Sequence, residues 1–142
     1  MTGWLPYAIG AAVLYGLHQV FTKLASASAS DAIGGFVVEA SAAFTIALYL
    51  VFLWARGPWK QHADLRGVLY SLATGLCVGA GTILFFQMFQ RGAPLSSVPI
   101  VLAVGSGIMV LAGVVIFHDA LGWRHWIGVL LALGAILLLR ST

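Results

Sequence analysis

Ile33-Gly34-Gly35-Phe36-Val37-Val38-Glu39-Ala40-Ser41-Ala42-Ala43-Phe44-Thr45-Ile46-Ala47-Leu48-Tyr49-Leu50-Val51-Phe52-Leu53-Trp54 carries a single charged side chain from end to end. About 20 mostly apolar residues are what a helix needs to cross a bilayer. A carboxylate inside such a run costs roughly 2.5–3.5 kcal/mol on insertion scales, so it is expected to face a bundle interior or a water-filled cavity. The stretch therefore reads as a membrane span, and Glu39 as its one expensive residue.

Reading outward gives four more spans of the same kind. Leu5 to Leu24 precedes it, and Leu65 to Phe89, Val98 to Phe117 and Trp123 to Leu139 follow. The breaks between them hold turn formers and charges: Ala25–Ser30, Arg56-Gly57-Pro58-Trp59-Lys60, Gly92-Ala93-Pro94 and His118-Asp119-Ala120-Leu121-Gly122. Proline cannot continue a helix interior, whereas Pro99 falls in a first turn, where its missing amide costs little. Asp31 and Asp64 stand where an N-cap acceptor would serve the free amides of the second and third helices. The first segment has no Lys or Arg before it and is longer than a signal-peptide core, so Ala25-Ser26-Ala27 is read as a turn and not a cleavage site. The expectation is one membrane domain over residues 1–142, all-α, a bundle of five transmembrane helices.

Composition agrees and excludes much else. The 142 residues are 61% hydrophobic and 8% charged, against about a quarter charged in a soluble domain. A chain this short could not bury so much apolar surface in water, so the lipid bilayer is the expected partner and a nucleic-acid partner is not expected. Cys77 is a lone cysteine, and no Cys/His cluster has metal-ligand spacing, so no metal or cofactor is expected. Neither a nucleophile–base pair nor a phosphate loop appears, so an enzyme is not expected.

Charge placement speaks to assembly. Five spans put the termini on opposite sides. Arg56, Lys60, Arg66 and Arg124 then share the side of the N-terminus, with Lys23, Arg91 and Arg140 opposite. Lys/Arg imbalance in short loops sets orientation, and here the two sides are nearly matched. Either the slight excess places the N-terminus in the cytoplasm, or the chain inserts both ways and pairs with an antiparallel second copy of itself. Inverted repeats are a common plan of secondary transporters, with the substrate between them near the midplane, and one repeat builds that site only with a second copy or a partner half. Gly75-xxx-Gly79 and Gly128-xxx-Ala132 permit close helix approach, expected within the chain. Trp4, Trp54, Trp59, Trp123 and Trp126 fall at span ends, as an interfacial aromatic belt does.

The polar residues inside the spans are the candidate site. Glu39 lies six residues into its run from Ile33, and His18 six before Leu24, so both are about 9 Å from the same end of the bundle. Tyr15, His18 and Thr22 share one stripe of the first helix. Tyr15, His18, Gln19, Glu39 and Gln87 are the residues expected to line a small-molecule substrate site. Glu39 is the proton-coupling candidate, since low dielectric favours the protonated carboxyl; its alternative is a neutral acid locked to His18 or a serine. Ser106 either lines a cavity or bonds its own backbone.

Three stretches carry a family likeness. Phe86-Gln87-Met88-Phe89-Gln90-Arg91-Gly92-Ala93-Pro94-Leu95-Ser96-Ser97-Val98-Pro99-Ile100 resembles the third-to-fourth helix junction of EamA-like proteins of the drug/metabolite transporter superfamily. Phe117-His118-Asp119-Ala120-Leu121-Gly122-Trp123-Arg124-His125-Trp126-Ile127-Gly128, with Leu133-Gly134-Ala135-Ile136-Leu137-Leu138, is similar to the family's final helix and its Gly-Glu-x-Leu entry, with His118-Asp119 in place of Gly-Glu. Tyr15-Gly16 and Phe21-Thr22-Lys23-Leu24 resemble its first helix. The likeness implies one inverted-repeat unit of a ten-helix transporter. It implies a multi-pass inner (plasma) membrane protein that moves small metabolites by alternating access as an inverted homodimer. Short members also include flippases for lipid-linked sugars or other amphiphiles, and a non-transporting scaffold subunit is the reading from a different class. The small multidrug resistance branch works through a glutamate in its first helix, and here that helix has no acid.

Overall fold

The computed structural model describes residues 3–58, 61–120, 122, 123, 127, 128, 130, 131 and 134. Four α-helices and one short 3₁₀ turn account for nearly all of them, and no strand occurs among the described residues. The chain divides into two compact units, Met1–Ala93 and Pro94–Thr142.

The first unit holds α1 (Leu5–Ala25), α2 (Asp31–Arg56) and α3 (Leu65–Gln90). α1 opens with proline in its first turn, where no amide is needed. α2 is capped by Ser30, whose Oγ accepts from the Ile33 amide at 3.4 Å. This corrects the expectation that Asp31 is the cap: Asp31 is the first helical residue, favourably placed at the positive end of the helix. Asp64 does cap α3, its Oδ1 accepting from the Gly67 amide at 2.8 Å. α3 ends in a Schellman turn. The Gly92 amide returns to Phe89 O and the Ala93 amide to Met88 O, with Gly92 at φ +88°, the left-handed position that glycine fills at no steric cost.

α3 is the central element of this unit, packing against α2 and α1. Among the described residues of this unit, the buried helix contacts lie at one end: the C-terminal part of α1, the N-terminal part of α2 and the C-terminal part of α3. Residues 5–17, 40–52, 54–56 and 65–78 are all exposed. In lipid, outward apolar side chains need no cover. Helices associate there through close packing of small residues and hydrogen bonds instead. The close approach is at Gly34 and Gly35: a Cβ at Gly34 would overlap the Phe86 ring, and one at Gly35 would lie 3.3 Å from Ile83 Cγ1. Among the described residues of this unit the expected Gly75-xxx-Gly79 contact is not made, since nothing lies within 4 Å of a Cβ built at either position.

The second unit contains the 3₁₀ turn Leu95–Ser97 and α4 (Val98–Val115), which carries a proline in its first turn. Ser106 Oγ donates to Leu102 O at 3.1 Å, the backbone alternative expected for it. α4 unwinds through a wide turn. The Phe117 amide reaches back to Ala112 O and the Asp119 amide to Gly113 O, with His118 at φ +54°.

Three segments are long and apolar enough to cross a membrane: Asp31–Arg56, Leu65–Gln90 and Leu95–Val115. The protein is an integral, multi-pass membrane protein. α1 is not among the three, because His18, Gln19, Thr22 and Lys23 dilute its apolar run. The expected fifth span, 123–139, lies mostly outside the described residues.

Candidate functional site

The end where α1, α2 and α3 meet is polar, and its bonds fix the register of the three helices. Lys23, in the last turn of α1, donates from Nζ to Ala93 O at 2.8 Å, and its ammonium lies 5.1 Å from the centroid of the Phe89 ring. α1 and α3 therefore run in the same direction. Gln90 Nε2 donates to Ala29 O at 2.8 Å, and Gln87 Nε2 to Asp31 Oδ2 at 2.7 Å. These two bonds set α2 antiparallel to α3. Three chain segments are thus stapled within about one turn of the membrane-facing helix ends, where side chains of this kind still reach headgroup water.

Deeper along the same contact, Thr82 Oγ1 of α3 donates to Glu39 Oε1 of α2 at 2.5 Å. Glu39 lies eight residues past Asp31 and Thr82 eight before Gln90, so both sit about 12 Å in from this end. Glu39 is half-buried and Thr82 is buried. Thr82 is the only hydrogen-bond partner of Glu39 among the described residues, and it holds only one of the two carboxyl oxygens.

The five expected site residues fall into three situations. Tyr15 is exposed, with its ring edge-on to His18 at 6.5 Å between centroids. His18 and Gln19 sit on the face of α1 turned to α3. His18 Nδ1 and Gln19 Oε1 are both buried with no hydrogen-bond partner among the described residues, and Gln19 is only 9% exposed. Glu39 is paired to Thr82, not to His18, which differs from the expected hairpin contact between α1 and α2. The reason is topological: α2 presses its glycine face on α3, so the carboxyl meets what α3 offers. Gln87 is half-buried and bound to Asp31. It also lines a cavity of about 470 Å³ with Leu84, Met88, Arg91, Gly92 and Ala93.

Thr82, Lys23 and Asp31 were not expected at this site from the sequence, which pointed to Asp31 only as a helix cap and to Lys23 only as a flanking cation. A usable signal existed for Thr82: its depth from the end of its helix equals that of Glu39 from the start of α2. Among the described residues no group of three His, Cys, Asp or Glu side chains is placed to hold a metal. The arrangement offers polar groups at similar depth in the bundle: the second carboxyl oxygen of Glu39, the amide oxygen of Gln19 and the Nδ1 of His18, which donates or accepts according to the ring's tautomer. It can receive hydrogen-bonding groups such as hydroxyls or amines.

The chain is similar to a probable 4-amino-4-deoxy-L-arabinose-phosphoundecaprenol flippase subunit, ArnE, of Aeromonas hydrophila subsp. hydrophila. The two are 28% identical over 89 residues, covering 62% of this chain and 76% of the relative. No solved structure matches. The EamA-like transporter family matches over residues 2–141, the stretch that holds every helix and every polar contact described above, and the chain belongs to that family.

Proposed function

We propose that the protein is a secondary transporter of small metabolites in the inner (plasma) membrane, working by alternating access as an antiparallel pair of copies, with Glu39 exchanging a proton during the cycle. The observation that carries this reading is Glu39 itself. It is the one carboxylate of the chain away from the helix ends and loops, it is half-buried, and it keeps one oxygen without a hydrogen-bond partner. Adjacent polar atoms on α1 without a hydrogen-bond partner among the described residues, His18 Nδ1 and Gln19 Oε1, support a ligand site at the same depth, with Tyr15 and Gln87 at its borders.

The second copy is supported by the other half of α3. Gly67, Ser71, Gly75 and Gly79 recur every four residues there, and a groove of about 600 Å³ runs along the first three, lined by Val68, Leu72 and Leu76 as well. Small residues at that spacing let a neighbouring helix come close. The near-even Lys/Arg distribution supports insertion in both orientations.

The test is twofold. C-terminal reporters of opposite compartment specificity should both be active, and proteoliposome flux driven by a proton gradient should be lost in Glu39→Gln. A single orientation removes the antiparallel homodimer, and unchanged flux removes Glu39 as the coupling residue. A second reading, a flippase for a lipid-linked sugar or similar amphiphile, is favoured by the similarity to a flippase subunit. It predicts translocation of a labelled polyprenyl-phosphate sugar in the same vesicles.

A further inference from the structure

Thr82 Oγ1 stands between two acceptors, 2.5 Å from Glu39 Oε1 and 3.0 Å from the carbonyl oxygen of Val78. A threonine hydroxyl has one hydrogen and two lone pairs, so it serves one of these acceptors at a time. Thr45, Thr74 and Ser106 make a backbone bond of the same kind with no partner on another helix. Thr82 differs from them by having a carboxyl within reach.

The protonation state of Glu39 decides which way the hydroxyl points. An ionised carboxylate can only accept, so the Thr82 hydrogen turns to it. Val78 O then keeps its helical amide alone. When a proton arrives from water on the carboxyl, Glu39 becomes a donor. Its O–H bonds to a lone pair of Thr82 Oγ1, and the Thr82 hydrogen swings to Val78 O. No other bond forms or breaks, and release of the proton reverses both rotations. In each state every hydrogen of the triad has an acceptor, which matters where no water competes.

The geometry points to Thr82 as the positioning residue that lets Glu39 load and release a proton while α2 and α3 stay joined, by reversing the direction of one hydrogen bond. This rests on the reading that Glu39 exchanges protons. The surroundings leave Thr82 that role. On α3, Tyr70 and Cys77 are exposed, and Arg66 and Arg91 stand at the helix ends. On α1, Tyr15 is exposed, Lys23 is bound to Ala93 O, and His18 Nδ1 makes no bond. On α2, Asp31 is held by Gln87 two turns away.

The chain has one glutamate, so isotope labelling of glutamate reports Glu39 alone. Infrared difference spectra of the full chain in nanodiscs between high and low pH should show one labelled carboxyl band at the frequency of a hydrogen-bonded acid. Thr82→Val should move that band up toward a free carboxyl and displace the pH profile of transport. Thr82→Ser, which keeps the hydroxyl, should restore both. A band unmoved in Thr82→Val overturns the inference and leaves Glu39 as the proton site. A wild-type spectrum with no labelled carboxyl change at any pH overturns both readings. Failure of Thr82→Ser to restore the band counts against the inference even if Thr82→Val folds poorly.

Discussion

The ring of Phe86 occupies the space in which a side chain at position 34 would begin, so that Gly34 and Phe86 together set the distance between α2 and α3. Phe86 is 0% exposed and cannot swing aside without displacing its neighbours. Gly34→Ala is therefore expected to force the helices apart and to lower stability by about 1–3 kcal/mol, the usual cost of overpacking. Unfolding in mixed micelles measures it. Pairing Gly34→Ala with Phe86→Leu should recover part of the loss, and simple additivity of the two would show that the sites do not share this space.

Lys23 ties α1 to the turn after α3 by two interactions that can be separated. Its ammonium bonds Ala93 O and faces the Phe89 ring. Lys23→Met is expected to lose about 1–2 kcal/mol, and Lys23→Arg to lose less because the charge and the aromatic contact are kept. A double-mutant cycle with Phe89→Leu isolates the ring contribution, expected at about 0.5–1 kcal/mol of coupling. Zero coupling would assign the whole effect to the carbonyl bond.

These two contacts also mark the boundary of what the sequence made legible. Long apolar runs broken by Pro, Gly and charge gave the limits of the helices, because a bilayer imposes length and apolarity on each span separately. Pro99 and Asp64 were readable for the same reason: their roles depend only on neighbours in the chain. Which helix faces which was not readable. The sequence offered Glu39 a partner in His18 on the adjacent helix or in a serine, and its partner is Thr82 on the third. Neighbours in sequence pack by default only when their small faces meet, and here the glycines of α2 meet α3. Gly75 and Gly79 had the right spacing for a contact, but among the described residues nothing lies within 4 Å of a Cβ built at either, since spacing says that a helix can be approached and not by what. Glu39 and Gln19 were recognisable as costly residues, whereas the loss of a partner at Gln19 Oε1 depended on packing alone.

The end of α4 holds a residue in a conformation that suits it poorly. His118 is at φ +54°, with the Asp119 amide closing onto Gly113 O beside it. The pattern this stretch resembles carries glycine there. A side chain in the left-handed region costs about 1–2 kcal/mol, and glycine returns some of that as lost chain entropy. His118→Gly should raise stability by a net of about 0.5–1 kcal/mol, read as a higher melting temperature in detergent. His118→Val, branched at Cβ, should lower it. Equal effects of the two would mean that backbone strain is not the controlling factor.

Gln19 provides a sharper separation of stability from activity. Its amide oxygen is buried without a donor, although the side chain is only 9% exposed. An unsatisfied buried acceptor costs about 1–3 kcal/mol, and Gln19→Leu fills nearly the same volume without it. The variant is expected to unfold at higher denaturant by about 1 kcal/mol, and to transport poorly if the oxygen receives a donor from the substrate. Stability gained at the expense of activity is the usual mark of a functional site held under cost. Gln19→Glu keeps an acceptor and should retain more flux than Gln19→Leu. Flux in Gln19→Leu equal to wild type, with the same gain in stability, would remove Gln19 from the substrate site and leave it as a packing residue of the α1–α3 contact.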